Sequence, residues 1–435
     1  MSLDIKFLES EITDQYLNDD NPRPWIIGFS GGKDSTMLLQ LVWSALRKLP
    51  PELRRRHIHV VCNDTLVENP KIAQFIRVTL QNIQTAAAQQ SMPLTVHETS
   101  PRLEETFWVN LLGKGYPAPN NMFRWCTERL KINPTTDFIK NKIDEAGEVV
   151  ILLGTRSAES TNRARSIKKY EVKGERLRKH VLPNAYVFAL IKDVETEEVW
   201  QYLLQVEPPW GGSNRPLVTL YRNANGGDCP LVIDTTTPSC GNSRFGCWVC
   251  TVVNRDKSME ALIDNGEDWM EPLSEFRDLL QETRNEREWR QMQRRNSDVV
   301  GEDVWGPYYP EKRAVLLRSL LKVQKEVQLY DPELILVNYQ ELVAIQVIWH
   351  RDSIFNQSVA EIYNEVYGTQ MRNEDFNDQD IFENEILKDV CQDEDDFQLI
   401  NELLEIQKSK YILVNNYGLQ NDLDVHLERF IKNRN

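Results

Sequence analysis

The sequence predicts an α/β protein with a doubly wound parallel sheet, followed by a loop-rich cysteine segment and a helical C-terminal region. Two observations predict the sheet. Short apolar runs alternate with helical periodicity over the first two hundred residues, and the helices are long enough to cross back over a sheet. Helical periodicity without strand signals dominates after Asn254. We therefore expect three parts, at residues 1–205, 206–255 and 256–435.

Five apolar runs are the candidate strands of the sheet. They occupy residues 25–29, 57–62, 94–98, 149–153 and 186–191. The first run is followed by apolar residues at helical spacing from Met37 to Val42, Pro70 opens a second helix, and a third helix is expected near residues 196–204. Strands separated by helices of this length form parallel sheets that are covered on both faces. The segment at 208–246 is rich in Pro, Gly and Asn, which predicts loops.

The bulk composition is that of an ordinary globular protein. The chain has 435 residues, of which 41% are hydrophobic, and a net charge of −15. This charge argues against a dedicated, tight nucleic-acid binder but leaves room for a local basic surface. No run of 18 apolar residues exists, and the start MSLDIK lacks the basic and apolar regions of a secretion signal. We expect a cytoplasmic protein without membrane contact, and composition leaves its oligomeric state open.

A short glycine-containing motif lies between the first strand and the first helix of the sheet. Its glycines allow a tight turn that presents backbone amides to an anion, and the following helix adds its N-terminal partial positive charge. Lysine supplies a full charge, and the two serines offer hydroxyl groups. The spacing does not fit a Walker loop. We call this motif the phosphate loop; it consists of Ser30, Gly31, Gly32, Lys33, Asp34 and Ser35.

Two further polar segments follow predicted strands, at the edge where doubly wound sheets bind ligands. Asn63, Asp64 and Thr65 follow the second strand, where they are suited to hydrogen bonding with a ribose or adenine. Gly154 begins a segment, GTRSAES, after the fourth strand, and its Arg156 is expected to face phosphate. A simple turn is the alternative interpretation of each segment.

Four cysteines in the loop-rich segment predict a metal site. A C-x-x-C pair directs two thiolates to one soft metal, and flexible flanks allow two others to close the site. Four thiolates without a nearby histidine fit either zinc or an iron–sulfur cluster. The four are Cys229, Cys240, Cys247 and Cys250.

Cys126 is the candidate sulfur carrier. Three cations lie within five residues of it, at Arg124, Arg129 and Lys131, and we expect them to lower the pKa of its thiol. It is therefore a candidate for a persulfide, or for a metal ligand in place of Cys229; a plain buried cysteine is the alternative interpretation. Cys62 and Cys391 are interpreted as structural or incidental.

A basic stretch follows the segment at Arg156. Between Arg156 and Lys179 there are nine cations and three acids. A surface of this kind contacts the phosphates of a nucleic acid. A solvated charged loop is the alternative.

The phosphate loop resembles the PP-loop of the ATP pyrophosphatases, which cleave ATP between its α and β phosphates, and the likeness covers residues 20–205. GTRSAES is similar to a segment of the PAPS reductase branch. Together with residues 62–70 (CNDTLVENP), 116–131 (YPAPNNMFRWCTERLK) and the later cysteines, these motifs closely resemble the DndC family of DNA phosphorothioation sulfurtransferases. The likeness runs from residue 20 to 255.

This resemblance implies an adenine nucleotide α-hydrolase-like fold, ATP and Mg²⁺ as ligands, and a [4Fe-4S] cluster rather than zinc. It also implies DNA as substrate and two classes of partner, a cysteine desulfurase and the other phosphorothioation proteins. In such an enzyme Lys33, Asp34, Cys126 and Arg156 are the catalytic candidates. The rival interpretations are a tRNA thiolation enzyme, a PAPS or APS reductase, and a non-catalytic ATP-binding scaffold.

Overall fold

The computed structural model describes residues 3–17, 22–159, 165, 168–169, 174–223, 246–292, 306–352, 354, 356–369, 387, 391, 393, 395–400 and 403–404. The chain forms two compact units. One comprises Met1–Arg102 and Pro119–Arg277, and the other comprises Leu103–Ala118 and Asp278–Asn435. The three-part division expected from the sequence stays a prediction. That residues 103–118 leave the first unit is not visible in the sequence.

The first unit is built on a six-stranded, mostly parallel sheet. The strand order is β3-β2-β1-β4-β6-β5, and only the β5–β6 pair is antiparallel. The five predicted strands are confirmed within one or two residues, apart from the early end of the last, because each is an apolar run that the sheet buries. The strands are β1 (Trp25–Gly28), β2 (Ile58–Asn63), β3 (Leu94–Thr99), β4 (Val149–Leu153), β5 (Arg178–Lys179) and β6 (Ala185–Phe188).

Helices cover both faces of this sheet, which confirms the doubly wound α/β class. On one face Ile27 and Val60 pack with helices α1, α2, α3 and α5, whereas on the other Ile26 and Ile151 pack with Ile139 of α4. Numbering the helices of eight or more residues, these and the remaining two are α1 (Ile5–Leu17), α2 (Lys33–Arg47), α3 (Pro70–Gln89), α4 (Asn133–Ala146), α5 (Thr196–Gln205), α6 (Arg215–Asn223) and α7 (Lys257–Asp264).

The second unit is helical in its described residues, as the periodicity after Asn254 predicts. Trp108 donates its indole N–H to the Leu336 carbonyl at 2.6 Å, and Trp349 donates to the Leu112 carbonyl at 2.8 Å. The segment Leu103–Ala118 therefore lies within the core of this unit. Its helices are α9 (Pro310–Val327), α10 (Tyr339–Arg351) and α11 (Val359–Tyr367). Helix α8 (Glu271–Thr283) contains the boundary between the two units, after Arg277.

Shorter helical turns connect these elements. Their bounds are Pro51–Leu53, Leu103–Glu105, Val109–Gly113, Trp125–Thr127, Glu128–Ile132, Ser157–Glu159, Asp268–Met270 and Arg287–Trp289. Within the described residues, none of the helices combines the length and the low polarity that crossing a lipid bilayer requires.

Candidate nucleotide and thiol site

The phosphate loop joins β1 to α2 at the carboxyl edge of the sheet. Gly31 has φ +69°, and a Cβ at this position would lie 2.5 Å from Ile76 Cγ1, so only glycine fits. Ser35 closes the loop, because its Oγ accepts from the Ser30 amide at 3.2 Å and donates to the Gly32 carbonyl at 3.0 Å. Gly32 is the N-cap of α2 and supplies no capping side chain. The first amides of α2 therefore face a site that suits an anion.

Lys33, Asp34 and Arg156 form a chain of ionic contacts beside this loop. Asp34 accepts from Lys33 Nζ at 3.1 Å and from Arg156 Nε at 2.6 Å. The Arg156 guanidinium also donates to the Val194 carbonyl at 3.0 Å and to Thr196 Oγ1 at 3.2 Å. Arg156 is only 1% exposed. The structure thus places it behind Asp34, and its direct contact with phosphate stays a prediction.

Gly154 allows β4 to approach the start of α2. A Cβ at Gly154 would lie 2.9 Å from both the Asp34 carbonyl carbon and the Ser35 amide nitrogen. Neither backbone atom can move without displacing the phosphate loop, so any larger residue distorts it. The neighbouring Thr155 has a buried hydroxyl with no hydrogen-bond partner in the described part of the chain. An unsatisfied hydroxyl at the carboxyl end of β4 suits a ligand oxygen.

Asn63, the last residue of β2, and the two residues after it make contacts within the protein. Asn63 donates its amide to the Leu130 carbonyl at 2.7 Å, and Asp64 accepts from the Leu66 amide at 2.8 Å. Thr65 is fully buried, and its hydroxyl lies 3.0 Å from Glu68 Oε1 and 3.3 Å from Cys247 Sγ. These contacts shape the carboxyl end of β2. Their binding of a ribose or adenine stays a prediction.

Cys247 and Cys250 lie at the carboxyl end of β2. The Cys250 amide donates to the Cys247 carbonyl at 3.1 Å, which makes the C-x-x-C motif a turn, and the Trp248 amide donates to the Val67 carbonyl at 3.0 Å. Arg277 donates to the carbonyls of Cys250, Val253 and Asn254. This turn is therefore fastened both to the segment after β2 and to α8. Burial raises the pKa of the Cys247 thiol to about 12.

Cys126 lies close enough to Cys250 for the charge of one thiolate to raise the pKa of the other thiol. The pKa of Cys126 is raised, mainly by burial and then by Cys250, and the opposing effects of a hydrogen bond with Thr127 and of the Lys131 charge are smaller. The expectation of a lowered thiol pKa is therefore wrong. Arg124 and Arg129 are close in sequence, but the largest effects on this pKa come from other groups.

The predicted metal ligands are only partly within the described chain. Cys229 and Cys240 lie outside the described residues, so their role as metal ligands stays a prediction. Within the described ranges, no group of three or more His, Cys, Asp or Glu side chains is arranged to hold a metal. The donor chemistry nevertheless fits a thiophilic metal, since Cys247, Cys250 and Cys126 are free thiols in one region. Cys62 is a buried residue of β2, as expected of a structural cysteine.

The basic stretch is described only in part. Arg165, Lys168 and Lys169 are helical and exposed, whereas residues 160–164, 166–167 and 170–173 lie outside the described chain. Arg176 pairs with Glu11 through two contacts of 2.9 Å. The described cations thus include exposed ones, as a phosphate-binding surface requires.

Tyr221 is a residue of this site that the sequence did not indicate. It lies on α6, and its hydroxyl accepts from the Lys33 amide at 3.4 Å, with Lys33 Nζ 5.5 Å from the ring centre. One tyrosine in a short amphipathic helix has the pattern of an ordinary core residue. No local signal could have connected it to a loop 188 residues away.

Comparison with known proteins gives a match to one family. The profile described as "Phosphoadenosine phosphosulfate reductase domain" matches residues 24–253, which is more than half of the chain. An uncharacterized protein of Methanocaldococcus jannaschii is 30% identical over 234 residues, which are 52% of this chain and 36% of that protein. The chain thus spans about a third of the length of this curated relative.

Solved structures with some similarity include three enzymes. A PAPS reductase from Candida auris is 11% identical, covering 47% of this chain and 88% of the other, with a TM-score of 0.26. A U34-tRNA thiolase with its [4Fe-4S] cluster, from Methanococcus maripaludis, is 14% identical, covering 64% and 80%, with a TM-score of 0.31. An FMN adenylyltransferase from Candida glabrata is 14% identical, covering 46% and 55%, with a TM-score of 0.28. At these TM-scores the likenesses carry no inference about activity.

Proposed function

Because the chain belongs to the phosphoadenosine phosphosulfate reductase domain family of the PP-loop superfamily, we propose that it is an ATP-dependent DNA sulfurtransferase. It would adenylate a backbone phosphate oxygen, release pyrophosphate and replace that oxygen with sulfur. One observation carries the proposal. The phosphate loop follows β1, and the contact between Thr65 and Cys247, 3.3 Å long, follows the neighbouring strand β2. The phosphate loop and a cysteine thiol thus lie at one edge of one sheet, which supports a reaction that uses both a nucleotide and sulfur.

The first step is an attack by a non-bridging DNA phosphate oxygen on the α-phosphorus of ATP. The bond to the bridging oxygen breaks, and pyrophosphate leaves. Developing charge on the leaving group is stabilised by the amides at the start of α2 and by Lys33. Bound Mg²⁺ would supply further positive charge at these phosphates. Asp34, held by Arg156, orients Lys33 through their contact of 3.1 Å.

The second step transfers sulfur to the activated phosphorus. The outer sulfur of a Cys126 persulfide attacks the phosphorus, and AMP leaves with the original oxygen. A thiol reductant then cleaves the S–S bond, which leaves sulfur on the DNA and Cys126 in a mixed disulfide. A second thiol of the reductant returns Cys126 to its thiol form. A [4Fe-4S] cluster on Cys229, Cys240, Cys247 and Cys250 would supply a thiolate-bound site for sulfur; Cys126 in place of Cys229, or zinc in place of the cluster, are the alternatives.

The choice of DNA is supported by two features. The segments at 62–70 and 116–131 resemble those of DNA phosphorothioation enzymes. Three exposed cations follow β4 in the sequence, at Arg165, Lys168 and Lys169. In this proposal a cytoplasmic cysteine desulfurase loads the persulfide, and other phosphorothioation proteins deliver the DNA.

Pyrophosphate release tests the first step. We expect anaerobically purified protein to release pyrophosphate from ATP, with release stimulated by duplex DNA rather than tRNA. Lys33→Ala should lower the rate by about two orders of magnitude, whereas Lys48→Ala, an exposed lysine paired with Glu9, should not change it. No release by the unaltered protein would favour the scaffold interpretation. Stimulation by tRNA alone, or reduction of adenylyl sulfate, would favour the corresponding rival enzyme.

Metal analysis tests the thiol site. We expect iron and acid-labile sulfide in the anaerobically purified protein, both lost in Cys247→Ser and retained in Cys391→Ser. Zinc without iron would identify a structural metal, and the sulfur would then be assigned to Cys126 or to a partner. Mass spectrometry of digested DNA, with a desulfurase and cysteine present, tests for the phosphorothioate product itself.

A further inference from the structure

Tyr221 contacts the phosphate loop although it lies 188 residues after Lys33 in the sequence. The residue is 7% exposed, and its ring stands edge-on to Trp200 of α5 with 4.9 Å between ring centres. Its hydroxyl oxygen accepts from the Lys33 amide at 3.4 Å. A Cβ at Gly32 would lie 3.3 Å from the same oxygen. The phenol oxygen therefore occupies the space directly in front of the first amide of α2.

This is the space that an anion takes at a helix N-terminus. The first backbone amides of a helix have no acceptor within the helix, and phosphate oxygens bind there because the partial charge favours them. A phenol oxygen is a neutral and weaker acceptor than a phosphate oxygen. The two acceptors compete for the Lys33 amide, so a bound phosphate group replaces the hydroxyl rather than joining it.

We propose that Tyr221 is a further residue of the nucleotide site, whose hydroxyl holds the Lys33 amide until a phosphate oxygen of ATP displaces it. This inference rests on the proposed use of the phosphate loop for ATP. It assigns Tyr221 a role opposite to that of a phosphate ligand, since its hydroxyl favours the nucleotide-free state. Nucleotide binding is thereby linked to the position of α6.

In the described part of the chain, α6 borders open space. Among its described side chains, Leu217 and Tyr221 are the buried ones and lie one turn apart. A cleft of about 740 Å³ borders α6, lined by Thr219 and Leu220 of α6 and by Phe75 and Val78 of α3. None of the described residues that line this cleft belongs to a strand, so among them a displacement of α6 toward the cleft leaves the sheet unchanged.

Binding of a non-hydrolysable ATP analogue to the full-length protein tests the proposal. Tyr221→Phe keeps the ring and removes only the competing acceptor, so we expect binding about two- to tenfold tighter, as the loss of one hydrogen bond implies. Tyr202→Phe is the matched control, because Tyr202 is buried on α5 and bonds to Ser44 instead; its affinity should equal that of the unaltered protein. Weaker or unchanged binding by Tyr221→Phe would overturn the proposal.

Tryptophan fluorescence gives an independent reading. Since Trp200 adjoins Tyr221, binding of the analogue should change the tryptophan emission of the unaltered protein. The contribution of Trp200 is the part of this change that Trp200→Phe lacks. Tyr221→Ala should lack the same part. A Trp200 signal that persists in Tyr221→Ala would contradict the displacement. Failure of the unaltered protein to bind any ATP analogue would instead overturn the proposed function, and this inference with it.

Discussion

Arg156 illustrates how one buried side chain can organise the residues of a site. Its guanidinium bonds to Asp34, to the Val194 carbonyl and to Thr196. These partners come from α2, from the segment before α5 and from α5 itself. The planar guanidinium satisfies several acceptors in fixed directions at once, which a lysine ammonium on its flexible stem does not. Arg156 therefore fixes the direction in which Asp34 holds Lys33.

We expect Arg156→Ala to lower the free energy of unfolding by about 3–5 kcal/mol, because it removes one partner of a buried ion pair. Arg156→Lys should recover only part of this loss, and both variants should bind ATP more weakly. Chemical denaturation and analogue binding measure the two effects. The exposed Arg215 serves as control, since Arg215→Ala should change neither. A normal free energy of unfolding in Arg156→Ala, with ATP binding alone impaired, would instead assign Arg156 to direct phosphate contact.

For single residues, the sequence predicted which positions belong to the candidate site better than it predicted the contacts between them. The phosphate loop was recognisable because its six residues are contiguous, and Gly154 because it follows an apolar run. Tyr221 and the contact between Thr65 and Cys247 join residues 188 and 182 positions apart, which no local pattern encodes. The pKa of Cys126 was predicted in the wrong direction because nearby charge in the sequence does not reveal burial.

Three histidines form a cluster on β2, β3 and the residue before β2. His59 Nδ1 lies 3.0 Å from His97 Nε2, and the rings of His57 and His59 are 4.6 Å apart. Helix α4 covers them with Phe138, and its Lys142 and Glu145 are the charged groups that act on the cluster. Burial lowers all three pKa values, and together with the neighbouring His57 and His97 it lowers the pKa of His59 to about 4. Folding thus favours the neutral form of all three imidazoles.

This cluster predicts a loss of stability in weak acid. Between pH 6.5 and about 4 the unfolded chain protonates His59 but the folded protein does not, so the free energy of unfolding falls as the pH falls. We expect His59 to account for a decrease on the order of 2 kcal/mol over this range. Denaturant titrations of His59→Gln should show a shallower pH dependence than those of the unaltered protein. His350→Gln, on α10, should retain the full slope. Equal slopes in the unaltered protein and both variants would show that the cluster is not the source of this pH dependence.

Elements were predictable wherever burial dictated composition. The central strands are apolar because helices cover both faces, so their runs stood out. The edge strand β5 was missed, since Arg178 and Lys179 carry no apolar signal and pair only with β6. Helix α6 was missed for a similar reason, because it lies within a segment whose prolines, glycines and asparagines favour loops.

The two units are interleaved along the chain, because Leu103–Ala118 belongs to the second unit while its flanking residues belong to the first. Trp108, Leu111 and Leu112 are fully buried there. Their burial depends on partners more than two hundred residues later. This organisation was invisible in the sequence, where residues 103–118 resemble any other connection between two strands.

A chain shortened to end at Arg277 should therefore expose the apolar face of Leu103–Ala118. Each large side chain uncovered costs about 1.5–3 kcal/mol of burial free energy, so we expect aggregation, measured in gel filtration as material that elutes in the void volume. Replacing residues 103–118 with a Gly/Ser linker in the shortened chain should restore solubility. If the shortened chain without the linker is soluble and stable, residues 103–118 do not need residues 278–435 to cover their apolar side chains.

The order of the strands has a consequence for how the protein matures during synthesis. The central strand β1 pairs with β4, whose residues lie more than 120 positions later, and the thiol turn comes later still. Pairing across such separations is slow because a long stretch of chain must be ordered at once. On the ribosome, Cys126 thus emerges well before Cys247 and Cys250, which form the turn beside it. A nascent chain stalled before residue 247 should be more readily alkylated or oxidised at Cys126 than the completed protein.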